Sequence, residues 1–225
     1  MNNITKCQVL IMKHRAVSLI VTFLSALLVM FFGTMLSDDP AEAISQPGFM
    51  AMFIFLFIPV IVICFSYTVR IQMYEVMSGF RPNQIILGKV IALTPVLLLY
   101  LAAATVISMM NDSSPQTVTR LILYCILCVR GMLCVVFLSP LFKMGSFAPV
   151  FSVMLLMFNS SDIEVMSRSP LSFLCFGQCT LLARDITDGF VIKVILSAVI
   201  SCVIYYLIGY FTLKKKIALE PHQLT

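Results

Sequence analysis

Histidine is scarce in this sequence, and acid is missing from its apolar runs. The two histidines, His14 and His222, both lie in end segments. A serine–histidine pair or a His-ligated zinc therefore has no components within the apolar interior. No Asp or Glu falls inside a predicted span, which removes intramembrane aspartyl chemistry and most carboxylate proton relays. A GxxxxGK[ST] phosphate loop is missing too, since Leu87-Gly88-Lys89 has neither the upstream glycine nor the trailing hydroxyl. The chain is expected not to be an enzyme and to carry no cofactor or metal of its own. Charge of either sign is also rare, at 11% of residues, against about 25% in a typical soluble domain.

What remains is apolar. Of 225 residues 60% are hydrophobic, and the mean hydropathy is +1.04. This composition is that of an all-α integral membrane protein. The net charge of +5 does not point to nucleic acid, because the basic residues are spread over loops and follow membrane topology instead. Cys64, Cys125, Cys128, Cys134 and Cys202 sit inside apolar runs, where cysteine behaves as a small hydrophobe. The Cys125–Cys128 pair is a CxxC without histidine neighbours, and packing accounts for it better than a metal or redox site.

Six spans are expected, at about 17–36, 49–69, 86–110, 120–138, 146–158 and 190–213, each judged against the roughly 20 residues that cross a bilayer core. Pro59 and Pro95 fall inside the second and third and predict kinks. Residues 3–15 mix Ile4, Val9, Leu10 and Ile11 with Lys6, Lys13, His14 and Arg15, the pattern of an interfacial amphipathic helix. The following run is too long, and lacks a small-x-small site, for a cleavable signal peptide. Residues 37–48 read as an acidic loop, and 111–119 as a polar turn. With the N-terminus inside, Lys6, Lys13, Arg15, Arg70, Arg81, Lys89, Lys143 and Lys214 to Lys216 lie on the inner face, while Arg120, Arg168, Arg184 and Lys193 lie outside. The Lys and Arg bias therefore places both termini in the cytoplasm.

Three features stand out against this background. The stretch 70–85 is the one substantial polar break in the middle of the chain, with Arg70, Glu75, Ser78-Gly79 and an Arg81-Pro82-Asn83 turn. It reads as a short amphipathic helix and turn on the inner face. Arg130 sits near the middle of the fourth span, where a charge costs about 2.5–3.5 kcal/mol on insertion scales. Either it contacts an anionic group or a translocation path, or Arg130-Gly131 marks a break near the interface. Finally, within the segment 169–188 the piece Leu171 to Ala183 is too apolar for a solvated loop and too short to span, which suggests a re-entrant or interfacial piece before the last span. Its Cys175 and Cys179 would share a helical face, yet a bond between them would be strained, so thiols are expected.

The run Glu75, Ser78-Gly79 and Arg81-Pro82-Asn83-Gln84-Ile85-Ile86-Leu87-Gly88-Lys89 resembles the segment between the second and third spans of ABC-2 type permeases. The amphipathic N-terminus is similar too, as is Ser169-Pro170-Leu171-Ser172-Phe173 followed by Arg184. The sequence departs from the family at the usual Gly-Thr after the glutamate and at the usual Ser-Arg. The resemblance implies six spans, cytoplasmic termini and a re-entrant outer segment. It also implies a plasma-membrane exporter subunit for a peptide, lipid or drug, working as a pair with a second copy or a sister permease. ATP and Mg would sit on a separate ATPase subunit, gripped through Arg70, Glu75, Gly79, Arg81 and Lys89, with Arg130 a candidate for the cargo pathway. From the residues alone, 70–85 also fits an ordinary solvated inner loop. A non-transporting membrane binder, sensor, or immunity or assembly protein that docks through this hairpin stands as the alternative.

Overall fold

The computed structural model describes residues 3–37, 40–68, 79–110, 112–141, 182 and 186–219. Regular structure among them is helical throughout: α1 (Asn3–His14), α2 (Ala16–Leu36), α3 (Pro40–Thr68), α4 (Pro82–Met109), α5 (Pro115–Leu138) with a 3-10 turn at Ser139–Leu141, and α6 (Asp188–Leu219). Four of these are long and apolar enough to cross a membrane, namely α2, α4, α5 with its 3-10 turn, and α6. Helix α3 contributes a shorter apolar stretch, Pro47–Ile63. At 1.5 Å per residue, the 21 residues of α2 extend about 30 Å, the depth of the hydrocarbon core. Large apolar side chains such as Val17, Phe32, Leu99 and Phe211 stand exposed on the outer faces. Water does not favour such a belt, and lipid does.

Helix α5 is the central post. Of its most apolar window 61% is buried, against 11% for α2, so α5 faces protein and α2 faces mostly lipid. The middle of the bundle is pinned by a tyrosine pair. Tyr100 of α4 and Tyr124 of α5 are fully buried, with their hydroxyls 2.7 Å apart. Tyr124 also donates to the Gly48 carbonyl of α3 at 3.0 Å, while Phe55 of α3 stacks on the Tyr100 ring at 4.2 Å. A hydroxyl carried into an apolar core must find a partner. These two find each other and a backbone carbonyl, tying three helices together.

Helices α5 and α6 run parallel. Arg120, near the start of α5, donates from Nε to the Leu182 carbonyl just before α6 at 3.0 Å, and Phe137 at the far end of α5 packs edge-on against Tyr206 of α6. At Gly209 the two backbones come so close that a Cβ would stand 2.0 Å from the Phe137 carbonyl oxygen. Only glycine fits there. The parallel pairing puts Leu141 and Ile186, the described residues that flank 142–185, at opposite ends of the pair.

Three helix starts differ from the sequence reading, each because proline opens a helix. Helix α3 begins at Pro40, not Phe49, and absorbs most of the expected acidic loop. Helix α4 begins at Pro82 instead of Ile86, so Arg81-Pro82-Asn83 is a helix start and not a turn. Helix α5 begins at Pro115, with Ser114 as its cap. Proline suits a first helical turn because its missing N–H has no helical acceptor there. As a consequence Arg120, expected at the edge of the fourth span, lies in the second turn of α5 and is buried. The break at Arg130-Gly131, the alternative reading of that residue, does not occur, since α5 runs through it. Helices α3 and α4 also continue through Pro59 and Pro95, and α6 extends past the expected 190–213 to include Lys214 to Lys216. The expected span 146–158, residues 70–78 of the hairpin and most of the segment 169–188, with Cys175 and Cys179, lie outside the described residues.

Candidate functional site

Two places gather the residues that matter. The first is a joint at the end of the bundle that carries α1. Helix α1 is amphipathic as expected, burying Ile4, Gln8 and Ile11 at helical spacing while Lys6, Lys13 and His14 stay exposed. It seats on the first turns of α4, where Gly88 is the contact point and a Cβ would meet Ile4 Cγ2 at 2.7 Å. The last turns of α6 close the joint: Leu213 packs with Ile4, Ile85 and Ile86, and Phe80 and Tyr210 lie against them. Tyr206 donates to Asn83 Oδ1 at 2.9 Å. The start of α4, into which the hairpin leads, is therefore packed against both α1 and the end of α6.

Of the five coupling residues expected from the sequence, Arg70 and Glu75 lie outside the described residues. Gly79 adopts a left-handed φ of 74°, a turn conformation that favours glycine. Arg81 caps α4: its exposed N–H bonds the Gln84 side-chain oxygen at 3.0 Å, and its own carbonyl accepts from Gln84 N at 2.9 Å. Lys89 is buried, two turns further on. Arg81 and Lys89 are thus not brought together on one exposed face.

The second place is a groove of about 610 Å³ between α4, α5 and α6. Its walls are aliphatic, with Ile122 and Val129 of α5 and Val199 and Val203 of α6 among them. These four side chains are also exposed at the lipid-facing surface, so the groove opens sideways. Cys125 and Cys202 line it as thiols. On α5 the lining runs from Val118 to Arg130, which is about 18 Å of helix. Arg130 is the charged residue in the lining. It is 1% exposed and lies beside Cys134 and Cys202. A guanidinium at the deep end of an apolar groove has hydrogen-bond donors that match a planar anion.

The opposite mouth of the groove lies by the turn between Met109 and Val118. There Asp112 organises the start of α5. Its carboxylate accepts from the Thr117 hydroxyl, from Ser114 Oγ at 2.8 Å and from Ser114 N at 3.0 Å. The Thr117 hydroxyl first, then Ser114, and finally the charge of Arg120 hold the Asp112 carboxyl below its ordinary 3.8.

The joint was half visible in the sequence, through the amphipathic N-terminus and the Gly88-Lys89 pair. The groove was not, apart from Arg130. Val118, Ile122, Cys125 and Val129 do recur at three- and four-residue spacing, but in a helix that is apolar all round this spacing singles out no face. No protein-family model, curated protein or solved structure matches the chain.

Proposed function

We propose that this chain is the transmembrane permease subunit of an ATP-binding cassette exporter in the plasma membrane, working with a separate ATPase and with a second permease copy or a sister permease. The observation that carries the reading is the joint after the hairpin. An inner segment that takes up force needs a stiff exit into the bundle, and here the exit is the capped start of α4, packed against α1 and the end of α6. Displacement of residues 70–81 would be passed to three helices at once. Ile4 and Leu213 share one cluster, which supports placing both termini on the same face, the cytoplasmic one by charge bias. Six crossings follow if 142–185 supplies one. The groove that ends at Arg130 is the candidate cargo pathway, suited to an amphipathic or hydrophobic cargo.

The groove also favours a second reading, a non-transporting membrane binder that docks through the hairpin. Coupling separates the two. In proteoliposomes that hold the chain and its ATPase, Glu75→Ala with Arg81→Ala should abolish cargo-stimulated ATP hydrolysis while membrane abundance stays unchanged. Normal stimulation and transport in the double variant would exclude the coupling role.

A further inference from the structure

We infer that the basic surface around the joint of α1, α4 and α6 is a docking site for anionic phospholipid headgroups, with Leu10 set into the acyl boundary among them. The two faces of α1 are used differently. Ile4, Gln8 and Ile11, at i, i+4 and i+7, are buried, and the two isoleucines pack into the hydrophobic core. This face is therefore taken up by protein and is not free to enter lipid. On the opposite face, at the same spacing, stand Lys6, Leu10 and Lys13, all exposed, with Leu10 at 69%. Arg81 at the start of α4 and Lys214 and Lys215 at the end of α6 are exposed around the same joint. Among the described residues no acid accompanies these cations, because Glu42, Asp112 and Asp188 lie at the opposite end of the bundle, by the starts of α3, α5 and α6. The complement of such a surface is negatively charged.

The level of these side chains favours lipid over a soluble acidic partner. Val17 near the start of α2 and Phe211 on α6 belong to the exposed apolar belt. Lys13 lies four residues before the first, and Lys214 three residues after the second, about 4.5 Å along the helix. The cations therefore stand where hydrocarbon gives way to phosphate, on stems long enough to keep their ammonium groups in the headgroup layer. Leu10 argues the same way. An exposed leucine between two lysines gains by entering the boundary of headgroups and acyl chains, and gains nothing against a charged protein face. Zwitterionic lipid offers each ammonium a phosphate that already carries its own cation. Anionic lipid offers net negative charge, worth about fivefold in binding per basic residue near the surface. Lipid held there would press α1 onto the first turns of α4. The inference goes beyond the exporter reading and does not rest on it.

The chain has no tryptophan, so Leu10→Trp places a single indole in the surface. The full chain carrying it is reconstituted alone into nanodiscs of phosphatidylcholine mixed with phosphatidylglycerol, with bromine quenchers on the acyl chains of one lipid or of the other. Brominated phosphatidylglycerol should quench about fivefold more efficiently per molecule than brominated phosphatidylcholine. Added salt should erode this preference, since exposed charges are screened. In the same background, Lys6→Gln with Lys13→Gln should bring the two lipids to parity while quenching itself persists, and Lys6→Arg with Lys13→Arg should keep the preference. Lys214→Gln with Lys215→Gln should lower it without altering α1, because both helix ends share the joint. Equal quenching by the two lipids with all lysines intact would overturn the assignment, as would a preference that survives unchanged the loss of either lysine pair. Absence of quenching by both lipids would place Leu10 in water and give the basic surface to a soluble acidic partner, which overturns it too. The ATPase is absent, so these failures would leave the coupling reading untouched, and loss of ATPase coupling would in turn leave this binding result standing.

Discussion

Tyr124 and Ser108 are both buried hydroxyl residues, and they should respond to deletion in opposite directions. Tyr124 is bonded to Tyr100 and to the Gly48 carbonyl. Phenylalanine in its place would remove both bonds and leave Tyr100 without this buried partner, at a cost of about 1–3 kcal/mol. Ser108 Oγ is buried without a hydrogen-bond partner, so Ser108→Ala removes an unmet desolvation cost and should leave the melting temperature unchanged or higher. Thermal unfolding of both variants in one detergent checks the pair. Asp112 adds a pH dependence. Its folded pKa is depressed below 3.8, so its contribution to holding the start of α5 is present above that value and fades as pH falls through the lower folded pKa. Asp112→Asn should flatten the acid limb of a stability profile measured from pH 6 downward.

Contacts between helices depend on glycines such as Gly88 and Gly209, which no composition argument would have picked out. At Gly209 the obstacle to any side chain is the Phe137 backbone carbonyl, which cannot rotate away, whereas at Gly88 it is the Ile4 side chain. Gly209→Val should therefore cost more than Gly88→Val. Overpacking in general costs about 1–3 kcal/mol, and the first variant should lie at or beyond the top of that range, with reduced yield of folded protein. Gly88→Val should instead lift α1 from α4 and speed protease cleavage within residues 3–15. Helix existence was legible wherever a long apolar run was bounded by charge, as in α2 and α6. Helix starts were less so. Pro40, Pro82 and Pro115 look like breakers in a linear reading, yet each opens a helix, where proline is tolerated because its absent N–H is not needed.

At the scale of the molecule, charge segregates by end. Lys6, Lys13, Arg15, Arg81, Lys214 and Lys215 are all exposed around the joint formed by α1, the start of α4 and the end of α6. The acids Asp112 and Asp188 mark turns at the other end. This polarity was readable from residue counts, since loop charge follows topology. How the helices pack was not, because lipid and protein interior are about equally apolar and the helix faces carry no contrast. The parallel pairing of α5 and α6, and the groove beside it, emerge only from contacts such as Arg120 with Leu182 and Gly209 with Phe137. Single cysteines at Lys6 and Lys214, in a background free of other reactive cysteines, should be labelled by an impermeant maleimide from the cytoplasmic side only, and a cysteine at Ser113 from the external side only. Labelling of the first two from opposite sides would break the shared joint.

In the proposed exporter a separate ATPase grips this chain through the hairpin ahead of α4. A gentle-detergent affinity purification from the native membrane, with co-purifying proteins identified by mass spectrometry, tests it most directly. The expected result is a soluble nucleotide-binding subunit recovered in near-equal amount and lost when residues 70–81 are replaced by a flexible glycine–serine segment. Recovery of the chain with no ATPase, or with an ATPase that stays bound after that replacement, would contradict it.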